Sequence, residues 1–293
     1  MQIGYYPGCS LSGTAKEYGK SVMEIFKQLD VELTDVNDWS CCGATSGHVT
    51  SHKLAMALSA RNLALAEKQG LKEIFAPCAA CFGRLAVTKQ ELKNSPALKE
   101  EIEGIIEEKL NNTVEIFNII QLFQKIGKEK IAEKKVLDLK NLKAACYYGC
   151  LLVRPFNILH FDDAEQPTSF EELVKSTGAE VVEWNYKLEC CGAAHSLPRK
   201  DIVVDLSKKI LDDAMKHGAN VLVVACPMCH SNLDMRQKNV IKANPGQKEI
   251  PVLYLSELIG LCLGLDNKQL GINLHTIDFN IRLKTNVEEE VSK

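Results

Sequence analysis

Cysteine is the residue type of this sequence with the clearest capacity for chemistry, and two pairs occupy consecutive positions, Cys41–Cys42 and Cys190–Cys191. Neighbouring side chains on an extended strand point to opposite faces, so two adjacent thiols reach one centre only where the backbone turns sharply. A glycine follows each pair, and glycine permits the positive φ that such a turn needs. The two CCG triplets therefore predict turns that direct consecutive thiolates to a single site.

Ten of the twelve cysteines obey one spacing pattern that occurs twice. The first copy, C-x31-CCG-x34-C-x2-C, contains Cys9, Cys41, Cys42, Cys78 and Cys81. The second copy, C-x39-CCG-x33-C-x2-C, contains Cys150, Cys190, Cys191, Cys226 and Cys229. The sequence before the triplet also repeats, since VELTDVNDWSCCG corresponds to AEVVEWNYKLECCG. The repeat predicts a duplicated chain with two domains, residues 1–138 and 139–293.

Composition restricts the class of protein. With 293 residues, 46% hydrophobic and 25% charged, and a formal charge of -3, the chain resembles an ordinary globular protein without a bias toward nucleic acid. Because no secretory signal is evident, twelve cysteines favour metal or redox chemistry over a disulfide framework, and we expect a cytoplasmic protein. The longest apolar stretch, residues 252–265, is too short and polar to span a membrane and predicts a buried helix.

Short apolar runs alternate with segments of helical periodicity in each copy, which indicates parallel α/β units. The predicted strands are residues 2–6, 31–36, 72–76, 143–148, 179–184 and 220–225. Helices are predicted over 52–69, over 201–216 and after Cys81. The predicted fold class is α/β, with two tandem duplicated Rossmann-like parallel-sheet domains. Because the motif cysteines follow strands, we expect the thiols at the strand C-terminal ends, facing a shared cleft.

Five thiols per copy exceed what the common metal centres need. Structural zinc and a cubane iron–sulfur cluster each take four protein ligands. The fifth thiol is a bridging ligand, a free redox thiol, or the sign of a cluster that is not a cubane. The spacing alone leaves these three interpretations open.

Two C-x(n)-CCG-x(m)-C-x-x-C modules over nearly the whole chain resemble the cysteine-rich-domain family whose type member is the B subunit of heterodisulfide reductase. The strings YYGCLLVRP and FDDAEQP in the second half are also similar to that branch. The resemblance implies one non-cubane [4Fe-4S] cluster on each complete motif, and hence two clusters held by the ten motif cysteines. It also implies two partners, a C subunit with conventional [4Fe-4S] clusters and a flavin-containing A subunit.

A disulfide needs two electrons, whereas an iron–sulfur cluster normally transfers one, so two clusters beside one cleft match the demand. We therefore expect the catalytic subunit of a heterodisulfide reductase-like complex, with its disulfide substrate between the halves. The chain has no G-x-G-x-x-G fingerprint and no ferredoxin-type cysteine run, so electrons must come from another subunit. The alternatives are a non-catalytic electron-transfer subunit of such a complex and a protein with two zinc modules.

Four residues are predicted to take part in catalysis: Cys42, Cys191, His195 and Arg154. His195 would deliver protons to departing thiolates, and Arg154 would bind an anionic substrate. Arg154 lies in a long loop after Cys150 that the first copy lacks, and long loops beside a site are often functional.

Other residues near the motifs have a more ordinary interpretation. They are the cations Arg84, Arg199 and Lys200, the histidines His48 and His230, and the thiols Cys146 and Cys262. We expect the cations and histidines to be polar side chains near loops or solvent, and the two thiols to be buried in the core. The charge runs 100–109 and 286–293 predict a solvated helix face and a frayed end. Residues 274–286 either dock on a partner or complete the second sheet.

Overall fold

The protein, seen in a computed structural model that describes residues 1–281, alternates strands and helices along both halves. The first half contains β1 (Gln2–Tyr5), α1 (Gly8–Ser12), α2 (Lys16–Gln28), β2 (Glu32–Asp35), α3 (Ser46–Thr50), α4 (His52–Lys68), β3 (Glu73–Phe75), α5 (Ala79–Asn94), α6 (Pro96–Ile106), β4 (Glu115–Phe117), α7 (Ile119–Ile126) and α8 (Lys128–Glu133). The second half contains β5 (Lys143–Tyr147), α9 (Phe156–Leu159), α10 (Ser169–Ser176), β6 (Glu180–Val181), α11 (Lys200–Lys216), β7 (Val221–Val224), α12 (Pro227–His230), α13 (Gln237–Ala243), β8 (Val252–Tyr254), α14 (Leu255–Cys262) and α15 (Asn267–Leu270). The second half also contains two turns of 3-10 helix, at Ala193–His195 and Ile272–Leu274, and a π-helical turn at Ser231–Met235.

The two halves form two sheets with the same topology. The first sheet has the order β2-β1-β3-β4 and the second has the order β6-β5-β7-β8. Every neighbouring pair of strands is parallel. The predicted duplicated, Rossmann-like α/β fold is therefore confirmed, and the C-terminal ends of three strands per sheet lead into the cysteine motifs.

Helix α2 connects the cores of the two halves. Its apolar face is buried, with Tyr18, Val22 and Ile25 fully enclosed. The rings of Tyr18 and Tyr254 stack with centroids 4.0 Å apart, which joins α2 to the start of α14 in the other half. The hydroxyl oxygens of Ser21 and Ser256 lie 2.6 Å apart in the same contact. The two sheets thus share one continuous hydrophobic core.

The prediction of one buried helix over residues 252–265 is wrong in its first part. Residues Val252–Tyr254 form strand β8, and only Leu255–Cys262 form a helix. A central parallel strand and a buried helix are both unbroken apolar runs, so hydrophobic periodicity does not separate them. Strand β4 was not predicted either, and β6 spans only two residues, Glu180–Val181, of the six predicted at 179–184.

The C-terminal segment does not add a strand to the second sheet within the described residues. Both carboxylate oxygens of Asp234 accept backbone hydrogen bonds from it, at 2.8 Å from the nitrogen of Thr276 and 3.0 Å from that of Ile277. Residues 274–281 therefore pack on their own chain, and the predicted frayed end at 286–293 lies outside the described residues. Within residues 1–281, no helix has both the length and the apolar character needed to cross a membrane.

Candidate metal centre

The motif cysteines all lie beyond the C-terminal ends of strands, as predicted. In the first half, Cys9 follows β1 in α1, the Cys41–Cys42 pair follows β2, and Cys78 immediately precedes α5. In the second half, Cys150 follows β5, the Cys190–Cys191 pair follows β6, and Cys226 immediately precedes α12. Parallel strands end at one edge of a sheet, so each sheet gathers its five thiols on one side.

Each CCG triplet makes the sharp turn that its sequence predicts. Gly43 has φ +75° and Gly192 has φ +79°. The N–H of Gly43 donates to the Sγ of Cys41 at 3.4 Å, and that of Gly192 donates to the Sγ of Cys190 at 3.3 Å. The turn therefore brings a backbone donor to the first thiol of each pair, where it stabilises a thiolate.

A second pair of glycines supports the motifs and was missed in the sequence. Gly8 and Gly149 each precede a motif cysteine and each has φ +66°. A Cβ at Gly8 would lie 2.9 Å from the Sγ of Cys81, and one at Gly149 would lie 3.1 Å from the Sγ of Cys229. The signal was present as the Gly-Cys dipeptide shared by both copies.

Two tyrosines anchor the triplet loops in an equivalent way. The hydroxyl of Tyr6 donates to the carbonyl of Ser40 at 2.6 Å, and that of Tyr147 donates to the carbonyl of Glu189 at 2.6 Å. Each acceptor residue immediately precedes a pair of adjacent cysteines. Burial and then the nearby thiolates raise the pKa of both tyrosines far above the usual range, so both remain hydrogen-bond donors.

The thiols of each motif divide into a buried set and an accessible set. Cys9, Cys41 and Cys190 are exposed, and Cys150 is half-buried. The other six motif cysteines are buried. The Sγ atoms of Cys42 and Cys81 lie 3.4 Å apart, and those of Cys191 and Cys229 lie 3.6 Å apart. In each half, the second thiol of the pair thus contacts the last thiol of the motif below the surface.

The two motifs come close to each other at Cys78 and Cys226. The interaction with the Cys226 thiol is the largest cause that raises the pKa of Cys78. Hydrogen bonds from Cys229 and from Cys78 lower the pKa of Cys226 well below the usual range of a thiol. The first cysteine of each C-x-x-C segment therefore lies where the two halves meet.

Two further thiols are held as thiolates. Hydrogen bonds from Cys41 and Cys81 lower the pKa of Cys42 to about 3, and the positive charge of Arg84 adds to the effect. A hydrogen bond from Cys150 lowers the pKa of Cys190 to about 6. Thiolates are the form that binds metal, so the ligand state is favoured at these positions. Hydrogen bonds to neighbouring thiols raise the pKa of five other motif cysteines instead, namely Cys41, Cys78, Cys81, Cys150 and Cys229.

The structure brings some of the predicted polar residues to the thiols and keeps others away. Arg84 acts on Cys42, and His195 is close enough to Cys190 to help lower its pKa. Arg199 instead forms an exposed ion pair with Asp201, with 2.6 Å between nitrogen and oxygen. The exposed His48 lies in α3 with its ring 6.4 Å from that of His52, measured between centroids. Arg199 and His48 are solvated, as expected.

Arg154 and Lys200 are both exposed side chains. The backbone N–H of Arg154 donates to the carbonyl of Cys150 at 3.2 Å, which places this cation one turn after a motif cysteine. Lys200 begins α11 and lies further along the chain from the nearest triplet.

Three further residues considered in the sequence, two thiols and one histidine, are buried. Cys146 and Cys262 are fully buried, as predicted, and burial raises the pKa of both, that of Cys262 to about 11. The ring of His230 is also buried, and its Nε2 lies 3.1 Å from the carbonyl of Val252. His230 is therefore a core side chain, and the prediction of a polar residue near a loop is wrong for it.

The donor set fits an iron–sulfur centre better than a single zinc ion. Four thiolates on one tetrahedral zinc stand about 3.8 Å apart, given Zn–S distances of about 2.3 Å. Across the described part of the chain, no three cysteine Sγ atoms lie within 4.8 Å of one another. The positive-φ glycines beside Cys81 and Cys229 keep these thiols free of a neighbouring Cβ. The thiols touch in pairs, and the pairs are spread over a wider site. Such a site matches a centre with several metal ions.

Comparison with known proteins identifies the same two modules. The cysteine-rich domain called CCG matches residues 3–86 and 144–234, which contain the two cysteine motifs. The matched segments include the first three strands of each sheet. The presence of this cysteine-rich domain in subunits of heterodisulfide reductases suggests that the domain binds iron–sulfur clusters.

Curated relatives align with nearly the whole chain. One is the 8-methylmenaquinol:fumarate reductase membrane anchor subunit of Wolinella succinogenes, 34% identical over 94% of this chain and 97% of its own length. Another is the B subunit of the ferredoxin:CoB-CoM heterodisulfide reductase of Methanosarcina mazei, 32% identical over 98% of this chain and 97% of its own length. A solved hypothetical protein from Helicobacter pylori, at 12% identity, shares the fold with a TM-score of 0.75, over 95% of this chain and 52% of that chain.

Proposed function

Because the chain belongs to the family of CCG cysteine-rich proteins that includes the B subunits of heterodisulfide reductases, we propose that it is the catalytic iron–sulfur subunit of a heterodisulfide reductase-like complex. The reaction is the reduction, or the reverse formation, of a disulfide bond. The observation that supports this proposal is the close approach of two complete five-thiol motifs: a Cβ at Gly83, two residues after Cys81, would lie 3.3 Å from the carbonyl oxygen of Leu151, which follows Cys150. Two one-electron centres side by side match a two-electron substrate.

The cofactors in this proposal are two non-cubane [4Fe-4S] clusters, one per motif. The first is held by Cys9, Cys41, Cys42, Cys78 and Cys81, and the second by Cys150, Cys190, Cys191, Cys226 and Cys229. When bound, each cluster supplies one electron. The chain's own part is to hold both sets of thiolates at one place and to exclude water from their buried members.

The exposed side of the motifs is the side from which a disulfide reaches the site. Cys9, Cys41 and Cys190 are open to solvent there. Cys42 and Cys191 are the buried neighbours of Cys41 and Cys190 in the chain. We assign both to the reaction centre as buried ligands. Because the two cysteines of each pair are consecutive, one accessible thiol and one buried thiol can belong to the same centre.

Two polar residues complete the reaction. A disulfide that takes up two electrons and two protons gives two thiols, so each departing thiolate needs a proton. We assign this delivery to the ring of His195, which is exposed beside Cys190. We assign the binding of an anionic end of the substrate to the exposed guanidinium of Arg154, one turn after Cys150. Neither residue has a counterpart of the same type in the first motif.

The partners in this proposal are the subunits that would supply electrons to the two clusters. The chain carries no flavin or nicotinamide fingerprint, so it receives electrons from a C subunit with conventional [4Fe-4S] clusters and from a flavin-containing A subunit. The relatives are themselves named as subunits. We place the assembled complex in the cytoplasm.

Anaerobic purification followed by a disulfide reductase assay tests the proposal. The intact chain should contain about eight irons, from about four per cluster. With reduced viologen as donor and the CoB-CoM heterodisulfide or glutathione disulfide as probe, Cys42→Ser should lose nearly all thiol production. The control Cys262→Ala removes a buried thiol outside the motifs and should keep it. Full turnover by Cys42→Ser would remove the first motif from the reaction centre.

A second candidate function is a non-catalytic electron-transfer subunit serving another oxidoreductase module. The similarity to a subunit of a fumarate reductase favours it, at 34% identity. Under this function, both clusters are reduced and reoxidised by partner proteins while no disulfide is consumed. The same assay separates the two functions, because only the catalytic subunit releases thiols.

A further inference from the structure

A cluster of metal-ligating side chains lies outside the ten motif cysteines. It consists of His230 at the end of α12, Asp234 in the π-helical turn that follows, and His275 in the C-terminal segment. One ligand atom from each residue lies within 4.8 Å of the other two. His230 follows Cys229 in sequence, but its ring stacks on Tyr254 in the core, with centroids 4.2 Å apart.

Both imidazole rings are oriented by their Nε2 atoms. The Nε2 of His230 donates to the carbonyl of Val252 at 3.1 Å, and the Nε2 of His275 donates to Glu257 at 3.0 Å. A ring that donates through Nε2 in its neutral form carries a lone pair on Nδ1. Metal-bound histidines usually have such a carbonyl or carboxylate partner on the other nitrogen.

The Nδ1 of His275 provides the observation that points to a ligand. The side chain of His275 is 1% exposed, and its Nδ1 is buried without a hydrogen-bond partner. A buried polar atom of this kind costs about 1–3 kcal/mol when it stays unsatisfied. The ring of His275 belongs to the cluster with His230 and Asp234, so a cation bound through this nitrogen would satisfy it.

The charge balance of the region also calls for a cation. Asp234 is 1% exposed and Glu257 is 0% exposed. Glu257 is paired with His275 at 3.0 Å and Asp234 accepts two backbone N–H groups, while no ion pair among the described residues joins either carboxylate to a lysine or arginine. Buried carboxylates are normally paired or coordinate a metal, because an isolated buried charge is costly.

We propose that His230, Asp234 and His275 bind a divalent cation, for which zinc is the best match, at a site separate from the motif cysteines. Imidazole and carboxylate are ligands that zinc accepts at about 2.0–2.2 Å, and three protein ligands leave one position open. The bound ion ties the C-terminal segment to the turn after Cys229. The inference does not depend on the proposed reductase activity.

The competing occupant is a proton on His275. Burial opposes its charged form, but the hydrogen bond and charge of Glu257 raise the pKa of His275 above the usual value for histidine. A protonated ring would leave a buried Nδ1–H without an acceptor. Zinc satisfies the same atom and balances both carboxylates.

Metal analysis and X-ray absorption of the anaerobically purified holoprotein test the site. The protein is equilibrated with zinc chloride, freed of excess metal, and measured for zinc and iron. We expect about one zinc per chain with nitrogen or oxygen neighbours at about 2.0–2.1 Å. His275→Gln should lose more than nine-tenths of this zinc and keep its iron, whereas the surface control His217→Gln should keep both.

Three results would overturn the site. They are zinc below a tenth of an equivalent in the intact protein, a zinc shell with sulfur neighbours at about 2.3 Å, and retention of full zinc by His275→Gln. Asp234→Asn serves as the second variant, because the amide oxygen still accepts from the C-terminal backbone. It should also lose zinc while its iron content stays at that of the intact protein.

Discussion

At the scale of single residues, the two motifs differ in the side chain that accompanies the second thiol of each triplet. Arg84 and Asn232 occupy equivalent positions, three residues after the last motif cysteine. Asn232 donates to the carbonyl of Cys191 at 3.0 Å, with its Nδ2 3.7 Å from the thiol. Arg84 places a permanent positive charge near Cys42 instead. The two centres therefore have unequal electrostatic surroundings, which the repeated cysteine spacing alone does not reveal.

We predict that Arg84→Gln lowers the reduction potential of the first centre and leaves the second unchanged. A nearby cation stabilises the reduced, more negative cluster, and one unit charge at about 8–10 Å with an effective dielectric near 20 corresponds to roughly 50–100 mV. An EPR-monitored redox titration measures the shift. Lys89→Gln is the control, since Lys89 lies on the same helix but pairs with Glu115. Equal potentials in Arg84→Gln and the intact protein would contradict the assignment.

The two exposed thiols of the triplets should react at different pH. In the metal-free protein, the pKa of Cys190 is lowered to about 6, chiefly by the hydrogen bond from Cys150, so its thiolate forms as the pH rises through 6. The pKa of Cys41 is raised, because it donates to the Cys42 thiolate. Iodoacetamide at pH 7 followed by peptide mass spectrometry should show faster labelling of Cys190. Equal rates at the two thiols would refute the predicted difference.

At the scale of elements, the sequence predicts the strands that lead into the motifs because turns and cysteines delimit them. Strands β1, β3, β5 and β7 were predicted within two residues at each end. Strands β4 and β8 were missed, since no motif follows β4 and an apolar helix follows β8 without a break. The glycines beside the last motif thiols were missed because their role depends on contacts between distant segments. The local pattern thus predicted where the motif thiols lie along the fold, but not how they pack.

We predict that Gly8→Ala loses the first centre. Its φ of +66° disfavours alanine, and the added Cβ would lie 2.9 Å from the Sγ of Cys81. Iron should fall from about eight to about four per chain, with four per cluster. Gly70→Ala is the matched control, since Gly70 has φ +78° but open space around a Cβ. It should cost about 1–2 kcal/mol of unfolding free energy and keep all iron. Full iron in Gly8→Ala would contradict the predicted clash.

At the scale of the whole molecule, the two duplicated halves pack as one unit. The contact of α2 with α14 joins the cores, and Cys78 lies close enough to Cys226 for the two thiols to shift each other's pKa. The sequence predicts the two copies, whereas their relative placement depends on tertiary contacts such as the stacking of Tyr18 on Tyr254. With one cluster bound per motif, as proposed, this arrangement would bring two one-electron centres close together, which is the basis for the proposed two-electron reaction.

A single-turnover experiment with the isolated protein tests the central claim most directly. The protein is reduced anaerobically with both clusters loaded, freed of reductant, and mixed with the CoB-CoM heterodisulfide or glutathione disulfide in separate trials. The proposal predicts about two thiols released per chain as both clusters are reoxidised, because two one-electron centres reduce one disulfide. If neither disulfide yields thiols while a dye acceptor withdraws both electrons, the result would contradict the proposal and favour the electron-transfer function.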